Sequence, residues 1–530
     1  MYSLLRYTQR LPLDLPLLSI AFVSTSVSFI AFAKKEHSSS TFTSPLLYQQ
    51  TATPWYQSTA ISPSNMTITQ TPPIQEGQFF FPAETAPHQA TILGFPSPHA
   101  VPRELLRATR NEILDLAVTI SEFEPVRVYV RAGDEGLARE ILVKRHALLV
   151  DMYSTTGDGK GKNKNKNKDK KKGKVDDGEG IPQYNLNNVT FHTCPTNHPW
   201  VRDTGPVYVL DTTNPGKRVA IDFGFCEWGG KNHGEIDVRD ELVLQEYKDA
   251  RDERAPINRT GYEIPDKRHW ENSRFAKQVL EVEAHANMTN MTNMTTTTTN
   301  KTNQHIERIT SPVRLEGGGI EVDGNGTLLA TESSILCRYR NDDMPKATIE
   351  MHLRRLLGVS KIIWFPGRRD HDITDCHVDG EVKFLAPGLV VLSKPHKRAE
   401  KVEKEIYKEI RDILTRETDA QGRKFKIVDM EGPDLEKVGW SDDDYAYEEA
   451  YEEGFDEEDE EDEDVAGTYV NFYFVNGGLI LPAFGDKRQD RRAVETLRKW
   501  IEPERKIRQV YTSALPRMGG VVHCVTQQVV

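Results

Sequence analysis

One local order recurs along this chain and limits what it can fold into: two short strands around a tight turn, an amphipathic helix, then another strand. Arg314 to Glu332 reads as two strands around Asp323-Gly324-Asn325-Gly326, followed by a helix over Ala347 to Leu357 and the apolar strand Lys361 to Phe365. Val382 to Ser393 repeats the hairpin, turning at Pro387-Gly388, with a charged helix from Arg398 to Thr415 and a strand from Phe425 to Val428. A last unit has strands Tyr469 to Val475 and Leu479 to Pro482 around Asn476-Gly477-Gly478, helix Arg491 to Ile501 and strand Gln509 to Thr512. Near the start, Pro102 to Glu122 carries Leu105, Leu106, Ile113, Leu116, Ala117 and Ile120 at helical spacing and runs into the alternating strand Val126 to Val130. Such recurrence predicts a pseudo-symmetric α/β assembly, and the spacing does not give the number of units.

Between these units lie segments that cannot add to a core. Gly157 to Gly180 is Gly, Lys, Asn and Asp; Asn287 to Gln304 is mostly Asn, Met and Thr; Ser441 to Asp464 is largely Asp and Glu. Asn232 to Lys267 is charged and weakly patterned. None has the apolar periodicity that repays chain entropy, so surface loops are expected near 157–180, 232–267, 287–304 and 441–464. The expected organisation is an N-terminal apolar segment and linker over 1–77 and one folded domain over 78–530. Much of the formal net charge of −12 sits in the acidic run, so it says little about a substrate. The Lys-rich run alternates with Asn and Gly rather than with aromatics, which speaks against nucleic-acid binding.

Leu15 to Ala33 is largely apolar, follows Arg6 and Arg10 and precedes Lys34-Lys35. It is long for a signal-peptide core and short for a membrane span, and Met66 offers a start that would remove it. Cytoplasmic placement is the reading adopted, with a secretory or membrane-anchored chain through residues 15–33 as the alternative. Membrane contact is expected only if that segment is retained. The five cysteines, Cys194, Cys226, Cys337, Cys376 and Cys524, form no C-x-x-C pair and no zinc-like spacing, so neither a disulfide framework nor a metal site is expected.

Four short segments have a composition that core packing does not explain. They are Trp200-Val201-Arg202-Asp203-Thr204-Gly205-Pro206, Glu316-Gly317-Gly318-Gly319, Thr374-Asp375-Cys376-His377-Val378-Asp379, and Gly519-Gly520-Val521-Val522-His523-Cys524-Val525-Thr526-Gln527-Gln528. In order and wording they resemble the family of agmatine deiminases and bacterial-type, Porphyromonas-type peptidylarginine deiminases. Phe81-Pro82-Ala83-Glu84, Trp228-Gly229-Gly230-Lys231 and Tyr469-Val470-Asn471-Phe472-Tyr473 extend the match. The resemblance implies the pentein fold of guanidino-group-modifying enzymes, a five-bladed pseudo-symmetric α/β propeller with its site at the centre.

It also implies the roles. A guanidinium is a planar, resonance-stabilised cation and a poor electrophile, so it must be clamped, attacked by a strong nucleophile and given a proton donor for departing ammonia. Carboxylates match its paired N–H edges; a thiolate is the natural nucleophile; histidine can act as acid and then base. Carried over residue by residue, Asp203 and Asp379 are the expected clamps, His377 the acid/base and Cys524 the nucleophile. Glu316 either touches substrate or supports the site, and Trp200 and Trp228 line the channel or belong to the core. No metal or organic cofactor is implied. Cys376 stands where the family usually has Gly, which puts the local backbone in question and offers a rival thiol. The expected activity is hydrolysis of agmatine to N-carbamoylputrescine and ammonia, in putrescine synthesis. Alternatives are deimination of peptidyl-arginine to citrulline and, from another class, a catalytically inactive propeller that binds a partner. A small-molecule guanidine is the expected partner, and a homo-oligomer is left open.

Overall fold

The computed structural model describes residues 77–154, 180–230, 271–292, 306–341, 344–435 and 465–530, all within the compact unit Pro72–Val530. The N-terminal segment and the inserts over 157–179, 232–267, 293–304 and 441–464 lie outside the described residues.

Among the described residues the recurring order becomes five separate sheets; four have an antiparallel hairpin whose second strand pairs in parallel with a strand on the far side of a helix, and the fifth has an antiparallel pair from distant parts of the chain in place of the hairpin. Strands β8 (Ile320–Val322) and β9 (Thr327–Thr331) lead through helix Lys346–Leu357 to β10 (Lys361–Phe365). Strands β11 (Val382–Ala386) and β12 (Leu389–Lys394) lead through helix Lys401–Arg416 to β13 (Lys426–Glu431). Strands β14 (Tyr473–Val475) and β15 (Gly478–Ala483) lead through helix Lys487–Arg498 to β16 (Lys506–Tyr511). Strands β5 (Val207–Asp211) and β6 (Arg218–Asp222) reach β7 (Glu307–Thr310) past helix Phe275–Thr292, with β1 (Phe79–Phe80) added at the edge. In the remaining sheet the C-terminal strand β17 (Gln527–Val529) pairs with β2 (Ala90–Gly94), which leads through helix Arg103–Ile120 to β3 (Val126–Val130). A second helix, Glu135–Ser154, then leads towards β4 (Val189–Thr193), parallel to β3. The C-terminal strand therefore completes a sheet begun by the second strand of the described domain.

Local chemistry sets the helix starts. Glu400 and Glu403 exchange capping hydrogen bonds at the start of Lys401–Arg416, and the Asp486 side chain accepts from Arg488 N and Gln489 N at the start of Lys487–Arg498. The cores form as the apolar faces of helices close on their sheets: Ile113, Leu116 and Ile120 meet Val126 and Val128, and Ile406, Ile410 and Leu414 meet Val390 and Leu392.

Three segments differ from the sequence reading. The apolar run from Tyr469 becomes strand only at Tyr473, because Asn471 turns its side chain to the site described below. The loop expected from Asn287 begins later, since helix Phe275–Thr292 carries its hydrogen-bond ladder through residues 287–292. Helix Glu135–Ser154 was not apparent because its apolar residues do not form one stripe; Leu137, Val143, Leu148 and Met152 are exposed. Among the described residues no helix is long and apolar enough to cross a membrane.

Candidate active site

The four motifs meet at one place, each presented by a short turn beside a sheet. After Trp200 the chain coils into the turn Val201–Thr204, in which Asp203 N and Thr204 N both donate to Trp200 O. Gly205 closes it, and a side chain there would strike Val201 O at 2.5 Å. This turn presents Asp203, whose Oδ1 accepts from Gly318 N (3.1 Å) and Oδ2 from Trp228 Nε1 (2.8 Å). Trp228 reaches it from an unfavourable backbone: Glu227 and Trp228 both adopt the left-handed conformation, at φ 53° and 51°. For non-glycine residues that costs about 1–2 kcal/mol each, offset by packing against Phe225 and His198 and by the bond to Asp203.

Turn Gly317–Gly319 forms the floor. An added Cβ on Gly318 would lie 2.7 Å from His377 Nδ1, 3.0 Å from Asp203 Oδ1 and 3.1 Å from Asp379 Oδ2. The absence of a side chain thus leaves room where an imidazole and two carboxylates converge. His377 and Asp379 flank Val378 where the chain enters the turn Val378–Gly380, and both are buried. Behind His377, Glu316 accepts from Arg340 Nε through both oxygens at 2.9 Å and lies 3.1 Å from His377 Nε2. Arg340 is fully buried and continues to Asp375 Oδ2 (2.8 Å) and Thr374 O (3.0 Å), tying the support of the imidazole to the loop that carries it.

Cys524, half-buried, lies in the C-terminal turn just before β17. Asn471 holds this turn: its Oδ1 accepts from His523 N (3.0 Å) and Cys524 N (3.3 Å), and its Nδ2 donates toward Cys524 Sγ at 3.3 Å. The same Oδ1 lies 3.4 Å from Sγ, so both ends of the amide reach the sulfur. Asp379 Oδ2 is 3.7 Å from Sγ on another side.

Electrostatics divide the groups. Burial alone would lower the pKa of His377, but Asp203, Glu316 and Asp379 outweigh it and push it up to about 9. Burial would raise Asp379, yet the hydrogen bond and charge of His523, with His377 and Lys383, hold it below the usual range. Asp203 goes the other way, raised by burial and by its neighbours Glu316 and Asp379 despite His377 and Trp228. The Cys524 thiol is pushed well above the ordinary thiol range by burial and then by Asp379 and Asp203. At neutral pH these shifts favour a cationic imidazole, an anionic Asp379 and a protonated thiol facing a carboxylate. A cation placed between the two aspartates reverses the penalty on the thiolate.

A profile described as Porphyromonas-type peptidyl-arginine deiminase matches residues 80–529. The chain belongs to this peptidyl-arginine deiminase family. Among curated relatives, an agmatine deiminase of Pseudomonas aeruginosa (strain LESB58) is 28% identical over 454 residues, covering 85% of this chain and 95% of the relative. An agmatine deiminase of Stutzerimonas stutzeri (strain A1501) is 30% identical over 466 residues, covering 87% and 98%. Among solved structures, agmatine deiminase of Enterococcus faecalis superposes with a TM-score of 0.57 at 23% identity, covering 85% of this chain and 96% of that one, a likeness of fold.

Within the peptidyl-arginine deiminase framework, the unusual Cys376 proves to be a backbone matter. It takes φ 70° and Asp375 takes 64°, a region glycine enters freely. Four local bonds hold it there: Thr331 Oγ1 to Cys376 O, Ser333 Oγ to Asp375 O, Cys376 N to Asp372, and His377 N to Thr374 Oγ1. Its thiol turns into the core with Val378, Val382 and Phe384, 3.9 Å from Glu381. Trp200 and Trp228 are both core residues; Trp200 lies against Gly520, where a Cβ would meet its ring at 2.5 Å, and Trp228 orients Asp203. The sequence places Glu84, Asn471 and His523 in motif segments without a role, and Arg340 and Lys383 outside them. Their only signal was polar or charged side chains inside strand-like or motif segments.

Proposed function

We propose that this chain is an agmatine deiminase, with its five sheets arranged as the blades of an α/β propeller around the site. The observation that carries the reading is the floor at Gly318, where His377, Asp203 and Asp379 all come within 3.1 Å of a vacant side-chain position. A guanidinium lying over Gly318, between Asp203 and Asp379, meets a carboxylate on two edges. Its charge removes the obstacle to ionising Cys524, whose proton passes to solvent as the substrate arrives, and the thiolate forms while His377 keeps its own proton.

Sγ then adds to the guanidinium carbon to give a tetrahedral adduct. His377, cationic at neutral pH, gives its proton to the departing nitrogen, and ammonia leaves with the C–N electron pair. The amidino-thioether remains on Cys524. Water enters on the face ammonia left, neutral His377 takes its proton, and collapse expels the thiolate with N-carbamoylputrescine as product. Glu316 and Arg340 hold the imidazole in register throughout. Burial of Asp203, His377 and Asp379 suits a thin, unbranched guanidine such as agmatine, and the relatives of this name match over nearly their whole length. Peptidyl-arginine is the second reading, favoured by the name of the family profile.

Ammonia and ureido-product release by the purified full chain, given agmatine and separately a blocked arginine peptide, decides between them. Agmatine turnover lost in Cys524→Ala supports the proposal; turnover of the peptide alone replaces agmatine as the substrate, and silence on both removes the deiminase reading.

A further inference from the structure

We propose that His523 is a positioning residue that aims Asp379 at the substrate: its ring is held between two buried carboxylates, Nδ1 2.7 Å from Asp379 Oδ2 and Nε2 2.7 Å from Glu84 Oε2. The proposal rests on the deiminase reading for its effect on turnover, and on geometry alone for the arrangement itself.

A neutral imidazole has one N–H and one acceptor nitrogen, whereas a carboxylate only accepts. With a carboxylate against each nitrogen, the three groups need two protons between them. The array Asp379–His523–Glu84 therefore carries one negative charge rather than two, whether the second proton sits on the ring or on a carboxylate. The Glu84 end is anchored independently. Its Oε1 accepts from Phe474 N (2.8 Å), and Oε2 faces the fully buried Lys383 Nζ at 3.1 Å and Arg202 Nη2 at 3.5 Å. Lys383 is shared with Glu321 (3.8 Å), and Arg202 also donates to Gln528 Oε1 (2.7 Å) and to the backbone oxygen of His523 (3.3 Å). A cluster that buries so many charges is costly unless each is paired, and here residues from distant parts of the chain pair them around one imidazole.

At the other end the consequence is directional. Asp379 Oδ2 is held by His523, which fixes the carboxylate plane, and the same oxygen faces the Gly318 floor over which the guanidinium is proposed to lie. The same Oδ2 stands 3.7 Å from Cys524 Sγ, so a proton held between Nδ1 and Oδ2 also reduces the repulsion that a thiolate there would meet. His523 precedes the nucleophile directly in the chain, and Asn471 holds both backbone amides. Orientation of the clamp and of the sulfur is thereby set by one turn.

Two replacements separate this role from simple filling of space. Asn places an amide near the position of Nδ1, and Gln near that of Nε2. His523→Asn therefore keeps a donor toward Asp379 and loses the one toward Glu84, and His523→Gln does the reverse. For His523→Gln, kcat on agmatine is expected to fall about 100-fold, as for a misaimed catalytic group. Alkylation of Cys524 by iodoacetamide, read without substrate, is expected to slow about tenfold. His523→Asn is expected to keep the larger share of both rates. Equal losses in the two folded variants, or native rates in His523→Gln, overturn the proposal. Should the native chain not turn over agmatine, the functional reading fails, while the alkylation rates still decide the role of His523. Should either variant fail to fold, side-chain ¹⁵N NMR of native protein labelled in histidine replaces them, following the signal that moves when Cys524 is alkylated: a proton on Nδ1 is expected, and an unprotonated Nδ1 overturns the assignment.

Discussion

Gly318→Ala adds one methyl group to the floor beneath the place proposed for the guanidinium, and its effect can be worked from the structure. The Cβ would lie 2.7 Å from His377 Nδ1, 3.0 Å from Asp203 Oδ1 and 3.1 Å from Asp379 Oδ2. Comfortable contacts begin near ~3.5 Å, so each group must retreat by roughly half an ångström to one ångström. The backbone is no obstacle, since Gly318 does not use the left-handed region. None of the three side chains is free to swing away: Glu316 holds His377, Gly318 N and Trp228 hold Asp203, and His523 holds Asp379. Overpacking costs about 1–3 kcal/mol, offset in part by the ~0.4–1 kcal/mol gained from a less flexible unfolded chain. The fold should therefore survive with a melting point lowered by a few degrees. Activity should not: displacement of this size, beneath the substrate's place, is expected to cut kcat/KM for agmatine at least ~100-fold. Ammonia release and a circular-dichroism melt on the same sample test both halves. A Gly318→Ala enzyme within about threefold of native kcat/KM would refute the placement of the guanidinium.

Other consequences are measurable. His377 rises from an ordinary 6.5 to about 9 on folding, so its contribution to stability, about 3 kcal/mol, is fully present below pH ~6.5 and lost as the pH climbs through about 9. Urea titrations across that interval should show the loss, His377→Ala should lack it, and kcat of the native chain should fall on the alkaline side near the same value. Arg340→Met takes the cation from buried Glu316 and Asp375 and should destabilise the fold by about 3–5 kcal/mol, read from the urea midpoint. Glu112 accepts from Ser513 N, Ala514 N and Leu515 N and so pins the segment that leads to Cys524; Glu112→Ala should cost about 3 kcal/mol or more in the same titration.

The legible part of this protein was what lies close in sequence. Hairpin turns such as Asp323-Gly324-Asn325-Gly326 and the helical spacing of Ile113, Leu116 and Ile120 depend on neighbours, and they fold as their spacing indicates. The four motif segments were conspicuous because glycines, aspartates and histidines side by side have no packing purpose. Contacts over long separations were not legible. Lys383 finds Glu84 across 299 positions, and His523 finds it across 439, so neither could be recognised as a buried ion-pair residue from its surroundings. Asn471 was concealed within an apolar run that reads as continuous strand, although its amide interrupts that strand to grip the Cys524 turn. Cys376 showed as a departure, and only the backbone angle explains how a side chain is accommodated there.

The central claim is that Cys524 forms the covalent bond to the substrate carbon. Rapid quenching of the native chain during agmatine turnover, followed by peptide mass spectrometry, tests it most directly. A Cys524 peptide carrying agmatine less ammonia is expected, present during turnover and absent in Cys524→Ser. Product formation with that adduct on Cys376, or continued turnover by Cys524→Ser, would contradict it.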